Sequence, residues 1–321
     1  MMFCESTGRF SLTAAEKSQI DYIAIAGPTG VGKSRCALDL ARRYPSRFEI
    51  VSVDSVQVFR GCDIGSAKPC LSEQTEVKHH LIDICDVTQR YTAAAFVKDA
   101  CTAIESIRSR GKIALITGGT FLYLQAFVEG LSPVPAVSDM ALCDYQTMFS
   151  HDIVKAYAFL QSVDPLSASR IAANDTSRIE RAVQVYLSTK KPISFWRAQP
   201  RTIAHAYRGL RTVILPTCRK TLKTKLAVRF DRMLDAGLVD EVTKLRQFWP
   251  TLTTEMPSMR AIGYRQVMAY LDGACDAALM RHDAIVATHR YLKRQLTWLR
   301  TMKGITQTYQ GEDAWRDAFL S

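Results

Sequence analysis

The chain has 321 residues, 47% of them hydrophobic and 23% charged, which is the balance of a folded globular protein and excludes a disordered one. No window is apolar for long enough to span a bilayer, and Met1 to Gln19 carry no hydrophobic leader core, so a cytoplasmic protein with a flexible extension over residues 1–20 is expected. Forty-two Lys and Arg outweigh thirty-one Asp and Glu, for a formal charge of +11, an excess that a small-metabolite enzyme does not need and that a polyanion such as nucleic acid would exploit.

Residues 21–26 read as a buried parallel strand that runs into Gly27-Pro28-Thr29-Gly30-Val31-Gly32-Lys33-Ser34. This is the strand–loop–helix phosphate cradle. Glycines let several backbone N–H groups converge on one phosphate, and the helix predicted over 33–43 adds its N-terminal dipole. Lys33 supplies a mobile positive charge and Ser34 a hydroxyl for a magnesium ion. A second strand, Glu49 to Val53, ends on Asp54-Ser55. Residues 56–78 read as irregular, and His80 to Ile84 as a third strand. Thr92 to Arg110 has helical spacing closed by Gly111. A strand, Ile113 to Ile116, then leads into Thr117-Gly118-Gly119-Thr120 and a helix from Phe121 to Glu129. Strands alternating with helices imply an α/β fold with a parallel sheet covered on both faces.

The pattern changes at Gly130 to Pro135. Ser138 to Arg197 shows only helical periodicity, with Asp164-Pro165 and Asn174-Asp175 as breaks and N-caps. This reads as a helical insertion over 136–202 between two parts of one core, 21–135 and 203–321. Arg211 to Leu215 restores a strand. The C-terminal region is helical over 219–236, 238–248, 259–271 and 277–300, followed by a strand at 305–309 and a last helix. Nine scattered cysteines with no CxxC pair, and adjacent His79 and His80 facing opposite ways on a strand, point to neither a disulfide framework nor a structural zinc.

Residues that could carry chemistry gather at the carboxyl ends of strands, where open α/β sheets bind ligands. Asp54 is a candidate ligand-facing acid or a turn cap. Gly118-Gly119 permits close backbone approach, and Thr120 offers a hydroxyl or an N-cap. Strand 113–116 ends in Thr-Gly-Gly rather than in the acid that a phosphate-loop ATPase uses for magnesium, which weakens a kinase or motor reading; Asp83 is the other candidate acid. Arg260 and Tyr264 would share a helix face. The stretch 257–266 and Ser177-Arg178-Ile179-Glu180-Arg181 read either as phosphate-contacting segments or as solvated basic helices. Arg290, Lys293, Arg294 and Arg300 with Trp298 suit phosphate contact and base stacking, or an ordinary amphipathic helix.

The chain resembles the tRNA dimethylallyltransferase family. The matching stretches are GPTGVGKS (27–34), DSVQVFRGCDIGSAKP (54–69), HHLID (79–83), GGTFLY (118–123), NDTSRIERA (174–182), RFDRMLDAGLVDEV (229–242), PSMRAIGYRQV (257–267) and KRQLTWLR (293–300), running from Ile23 to Arg300. The resemblance implies a P-loop core similar to nucleotide kinases, with the insertion gripping the anticodon stem-loop. It implies that Gly27 to Ser34 cradle the diphosphate of dimethylallyl diphosphate with Mg2+ on Ser34. It implies Asp54 as general base, Thr120 at the bridging oxygen and Arg260 as diphosphate clamp. RNA contacts are implied for Asp54, Ser55, Val56, Gln57, Thr120, Ser177, Arg178, Ile179, Glu180, Arg181, Arg260, Ala261, Ile262, Gly263, Tyr264 and Arg265. The implied reaction prenylates N6 of the adenosine 3′ to the anticodon in tRNAs reading codons that begin with U, by a monomer without membrane contact. Phe59 stands where the family usually has Tyr, and Asp139-Met140-Ala141-Leu142 lacks an arginine the family often carries. The zinc-finger extension of eukaryotic relatives is absent, which favours a bacterial type. Rival readings are prenylation of free AMP or ATP, a small-molecule kinase, and a non-catalytic tRNA-binding protein.

Overall fold

A computed structural model of the chain describes residues 20–150 and 152–320. The extension expected over residues 1–20 lies, apart from Ile20, outside them. Six parallel strands form one sheet: β1 Tyr22–Ala26, β2 Phe48–Ser52, β3 His79–His80, β4 Ile113–Thr117, β5 Gly209–Leu215 and β6 Gln307–Gln310, ordered β3–β2–β4–β1–β5–β6. The α/β fold expected from the strand–helix alternation is the one found. Every residue of β1, β2 and β4 is buried, because helices cover both faces of a parallel sheet and leave no wet side. One core cluster joins Ile23, Ile25, Ile50 and Leu115 to Cys36 and Leu40 of helix Lys33–Arg43 and to Trp315 of helix Gly311–Leu320. The buried Trp315 indole donates to Thr212 at 3.1 Å, so its one polar atom is satisfied.

The strand order positions the site. Thr117 of β4 pairs with Ser52 of β2 on one side and with Ile25 of β1 on the other. The three strands therefore end level, and the residues following each emerge side by side at the carboxyl edge.

Ala126–Ala204 forms a compact unit of its own, while the chain up to Gln125 and from His205 onward forms the other. The smaller unit packs Phe149, Leu160, Ile179, Val183 and Ile193 between helices Asp139–Phe149, Ile153–Val163, Pro165–Ala168, Thr176–Thr189 and Ile193–Ala198. Asp164 accepts the Ser167 and Ser194 N–H groups, each at 3.0 Å, and Asp175 accepts that of Arg178 at 3.2 Å. The two expected breaks are thus both capped helix starts.

Three elements differ from expectation. The third strand stops at His80 instead of starting there. Leu81 and Asp83 adopt left-handed φ of 63° and 56°, and the chain bends so that Asp83, Ile84 and Cys85 donate to the carbonyls of Gln57 and Val58. The segment 56–78 contains a helix, Leu71–Glu76, whose Glu73 carboxylate accepts the Cys70 N–H at 3.0 Å; six residues give too short a period to detect. The helix expected from 259 begins at Tyr264, because Gly263 turns at φ 92° and its N–H is taken by Gln266 at 2.9 Å. Arg260 therefore lies before the helix and shares no helix face with Tyr264.

Candidate active site

The phosphate loop owes its shape to glycine. Gly32 sits at φ 100°, and a Cβ there would land inside the carboxylate of Glu312. The helix begins at the next residue. Lys33 is 5% exposed, and its ammonium donates to the Pro28 carbonyl at 2.7 Å. Burial, seconded by the charge of Arg229, pushes its pKa down to about 7. Ser34 is exposed. Thr29, Gly30, Gly32, Lys33 and Ser34 line a cavity of about 560 Å³ together with Ser52, Asp54, Thr117 and Arg229.

Asp54 follows β2 on an Asx turn. One carboxylate oxygen accepts the N–H groups of Val56 and Gln57 at 2.9 and 3.3 Å; the other faces Gly119, where a Cβ would lie 3.9 Å away. The turn-cap and ligand-facing readings are therefore compatible, one per oxygen. Burial raises its pKa, opposed by those two hydrogen bonds and then by Lys33 and Arg229. Gly118 must be glycine because a Cβ would overlap the Val53 carbonyl. The Thr120 hydroxyl accepts the Ser55 N–H at 3.0 Å and lies 3.1 Å from the Ser55 hydroxyl, to which it donates. It ties the two loops together instead of capping the helix that follows.

Behind Asp54 lies a second cavity of about 340 Å³. Its walls include the apolar side chains of Val56, Leu226, Phe230, Met233 and Ile262, with Thr120, Arg260, Tyr291 and Arg294. Thr29, Asp54, Ser66, Gly119 and Arg229 line both cavities. Asp54 thus stands where a polar, loop-lined chamber meets a more apolar one.

Most of the expected site residues lie at these cavities, with several differences. Ser55, Val56, Ala261 and Ile262 line the second cavity. Gln57 lines the first, but its amide is committed, accepting from Ser52 at 2.8 Å and donating to the Ala67 carbonyl at 3.2 Å. Arg260 lines the second cavity and not the first; its guanidinium pairs with Glu255 at 2.6 Å on the surface. Gly263 is buried and Arg265 exposed. Tyr264 is a core residue, wholly buried, with its hydroxyl donating to Glu241 at 2.6 Å. Ile179 is likewise wholly buried. These two side chains, expected among the RNA contacts, build cores and reach no surface. Ser177, Arg178 and Arg181 are exposed on helix Thr176–Thr189, and Glu180 accepts from Gln184 at 2.9 Å. Phe59 is 1% exposed in a cluster with Phe230, Leu238 and Tyr264, a setting in which a phenol would have needed a partner.

Four further residues shape the site. Arg229 borders both cavities beside Asp54 and Lys33. Glu241 accepts the N–H groups of Asp63, Ile64 and Gly65 at 3.1, 2.7 and 3.3 Å. Lys68 donates to the Phe59 carbonyl and to Asp63 and Asp83. Gln295 links the phosphate loop to Gly119. Arg229, Glu241 and Gln295 fall in stretches the resemblance had marked, but composition alone gives them no distinction from other helical residues.

A cradle for phosphates beside a half-buried carboxylate, with a more apolar chamber adjoining, defines a P-loop α/β enzyme that holds a phosphorylated substrate against an acceptor. The sequence pattern of the IPP transferase family matches residues 57–302. A tRNA dimethylallyltransferase of Burkholderia thailandensis is 46% identical over 282 residues, covering 87% of this chain and 86% of its own. The crystal structure of a tRNA isopentenylpyrophosphate transferase from Staphylococcus epidermidis aligns with TM-score 0.65 at 30% identity, covering 93% of this chain and 97% of that one. A eukaryotic dimethylallyltransferase captured acting on tRNA aligns with TM-score 0.72 at 26% identity, covering 92% and 75%. The chain belongs to the IPP transferase family, the tRNA dimethylallyltransferases, enzymes that prenylate a tRNA adenosine.

Proposed function

We propose that this chain transfers a dimethylallyl group from dimethylallyl diphosphate to N6 of the adenosine on the 3′ side of the anticodon, in tRNAs reading codons that begin with U, releasing diphosphate. The observation that carries this reading is the position of Asp54 at the junction of the two cavities. The diphosphate occupies the loop-lined cavity, and adenine and the prenyl chain meet at the other.

The exocyclic amine of adenine is a weak nucleophile, because its lone pair is delocalised into the ring. Asp54 orients N6 through its cavity-facing oxygen and takes the proton as the C–N bond forms, an effect of roughly 10²–10⁴-fold for a positioned base. Burial raises the carboxyl pKa and makes it a better proton acceptor. As the allylic C–O bond breaks, charge develops on the leaving diphosphate. Lys33, Arg229 and the loop N–H groups meet it where it develops, with Arg260 available once it leaves Glu255. The Thr120 hydroxyl, released from Ser55, donates to the bridging oxygen. The apolar walls keep water from an electron-poor allylic carbon.

The residues fit a magnesium ion. Ser34 is exposed at the head of its helix, and the buried Thr117 hydroxyl lines the same cavity without a partner among the described residues. Ser34 would hold the ion, which with diphosphate bound neutralises part of the leaving group's charge. Ala126–Ala204 grips the anticodon stem-loop through Ser177, Arg178 and Arg181. Asp54, Lys33 and Arg229 come from one chain, so a monomer suffices for the chemistry.

The test is to incubate the protein with labelled dimethylallyl diphosphate, magnesium and unmodified tRNA, then to map the labelled nucleoside. Label on the adenosine beside the anticodon is expected, with tRNA affinity falling log-linearly as salt rises. Equal labelling of free AMP, or phosphate transfer from ATP with no five-carbon unit on RNA, overturns the reading.

A further inference from the structure

Gln295, on helix Ala277–Leu299, is 3% exposed and touches both loops of the site. Its carbonyl oxygen accepts the Thr29 N–H at 2.9 Å, and its amide nitrogen donates to the Gly119 carbonyl at 2.9 Å. Tyr291, one turn earlier, donates to the same carbonyl at 2.8 Å. The orientation of the amide is forced, because a backbone N–H must face the oxygen and a carbonyl must face the nitrogen. Thr29 belongs to the cradle of the leaving group. Gly119 lies against the Asp54 oxygen that faces the cavity. A single buried amide therefore sets the spacing between the loop that carries the electrophile and the loop beside the base.

We propose that Gln295 is a positioning residue for prenyl transfer: it holds the phosphate loop and the Gly118–Thr120 loop in register so that the allylic carbon lies in line with the amine bound at Asp54. It touches neither substrate. The proposal rests on the reading of Asp54 as the base, and it concerns geometry, where a small displacement costs turnover far more than binding.

Two substitutions test it. Gln295→Leu removes both bonds at similar volume. Gln295→Glu keeps the acceptor for Thr29; while ionised it cannot donate to Gly119, but when protonated it can. Both variants should lose turnover by about 10²-fold near neutral pH, with KM for tRNA and for dimethylallyl diphosphate within about threefold of wild type. The deficit of Gln295→Glu relative to wild type at the same pH should shrink as pH falls from about 8 to about 5, since burial raises the pKa of the introduced carboxyl. The deficit of Gln295→Leu should not change. Unchanged kcat in both variants, a rise in KM for the diphosphate that accounts for the whole loss, or a pH-independent deficit in Gln295→Glu would each overturn the proposal. Amide hydrogen exchange gives a readout apart from activity. In Gln295→Leu, peptides covering 27–34 and 117–120 should exchange faster together, at unchanged helical content. If they exchange as in wild type, the bridge is absent; if wild type itself prenylates no RNA, it is the assigned reaction that fails and not the bridge.

Discussion

The phosphate loop Gly27–Ser34 and the segment Asp54–Lys68 wall the same cavity, yet different means hold them. The phosphate loop is shaped mainly by its own residues. Lys33 bonds the Pro28 carbonyl, the Val31 N–H reaches the same carbonyl at 3.4 Å, and the helix follows Gly32 directly. The Asp54–Lys68 segment forms a run of turns, with Phe59, Cys62, Ala67 and Lys68 donating to carbonyls three to five residues back, and adds to them bonds from distant side chains. Glu241 gathers three of its N–H groups, Lys68 ties it to Asp83, and Tyr264 packs beneath it with its hydroxyl on Glu241. Glycine conformational freedom builds one wall, and a charge-assisted network builds the other. The first is largely a local property of eight residues, with Gln295 as a tie from far along the chain. The second adds to its own turns a network that forms only when the helix carrying Glu241 has docked.

The comparison can be broken most sharply at Asp54, where the Asp54–Lys68 wall meets the chemistry. Asp54→Ala should lower kcat by roughly 10²–10⁴-fold, measured in single-turnover prenyl transfer, while affinity for an anticodon stem-loop stays near wild type. Turnover equal to wild type would remove the carboxylate from the base role.

A smaller effect should separate network from glycine. Glu241→Gln keeps the shape, but the carboxylate accepts three N–H groups and the Tyr264 hydroxyl through its two oxygens, and the amide nitrogen that replaces one oxygen accepts none. At least one of these bonds is therefore lost and the others lose a charged acceptor, where each is worth about 1.5–3 kcal/mol. Replacing the ion with a neutral amide should cost about 2 kcal/mol of stability in urea unfolding. KM for dimethylallyl diphosphate should rise, because Ser66 and Ala67 wall its cavity. Stability and KM both unchanged would show that the segment holds itself.

The smallest effect concerns the phosphate loop and pH. In the free protein Lys33 titrates near 7, and a bound diphosphate raises that value by supplying opposite charge. A group whose pKa rises on binding contributes fully below its free value and loses its contribution above it. Diphosphate affinity should therefore show no Lys33-dependent change below about pH 7 and fall by at most about tenfold per unit above it. Titration calorimetry with inorganic diphosphate measures this against Lys33→Arg, whose guanidinium stays charged. The same slope in both proteins would assign it to the ligand's own titration.

Much of this was legible before any coordinates. The phosphate loop announced itself through spacing, since glycine at fixed offsets is a conformational requirement visible in the letters. The helices Ala93–Ser109 and Ala277–Leu299 announced themselves through their apolar period. The misses have physical causes. Leu81 to Ile84 looks like a strand by composition, but the Asp54–Lys68 segment captures its backbone. Met259 to Gly263 continues a helical pattern, but Gly263 turns out of it. Arg265 and Tyr264 are neighbours in an arginine-rich motif, yet one faces solvent and the other fills a core, because adjacent positions at a helix start point to different sides.

By itself the sequence determined the alternation of strands and helices, the phosphate cradle and the acid and hydroxyl that follow two of the strands. All of these follow from spacing within a dozen residues, where backbone sterics and side-chain period act. Tertiary structure alone decided that β4 lies between β2 and β1, that Arg229 lines the cavities while Glu241 and Gln295 bond the loops around them, and that Ile179 and Tyr264 are buried in cores. Thr29 and Gln295 are 266 residues apart. A hydrogen bond over that distance leaves no period in the chain, and it forms only after burial has brought its two partners together.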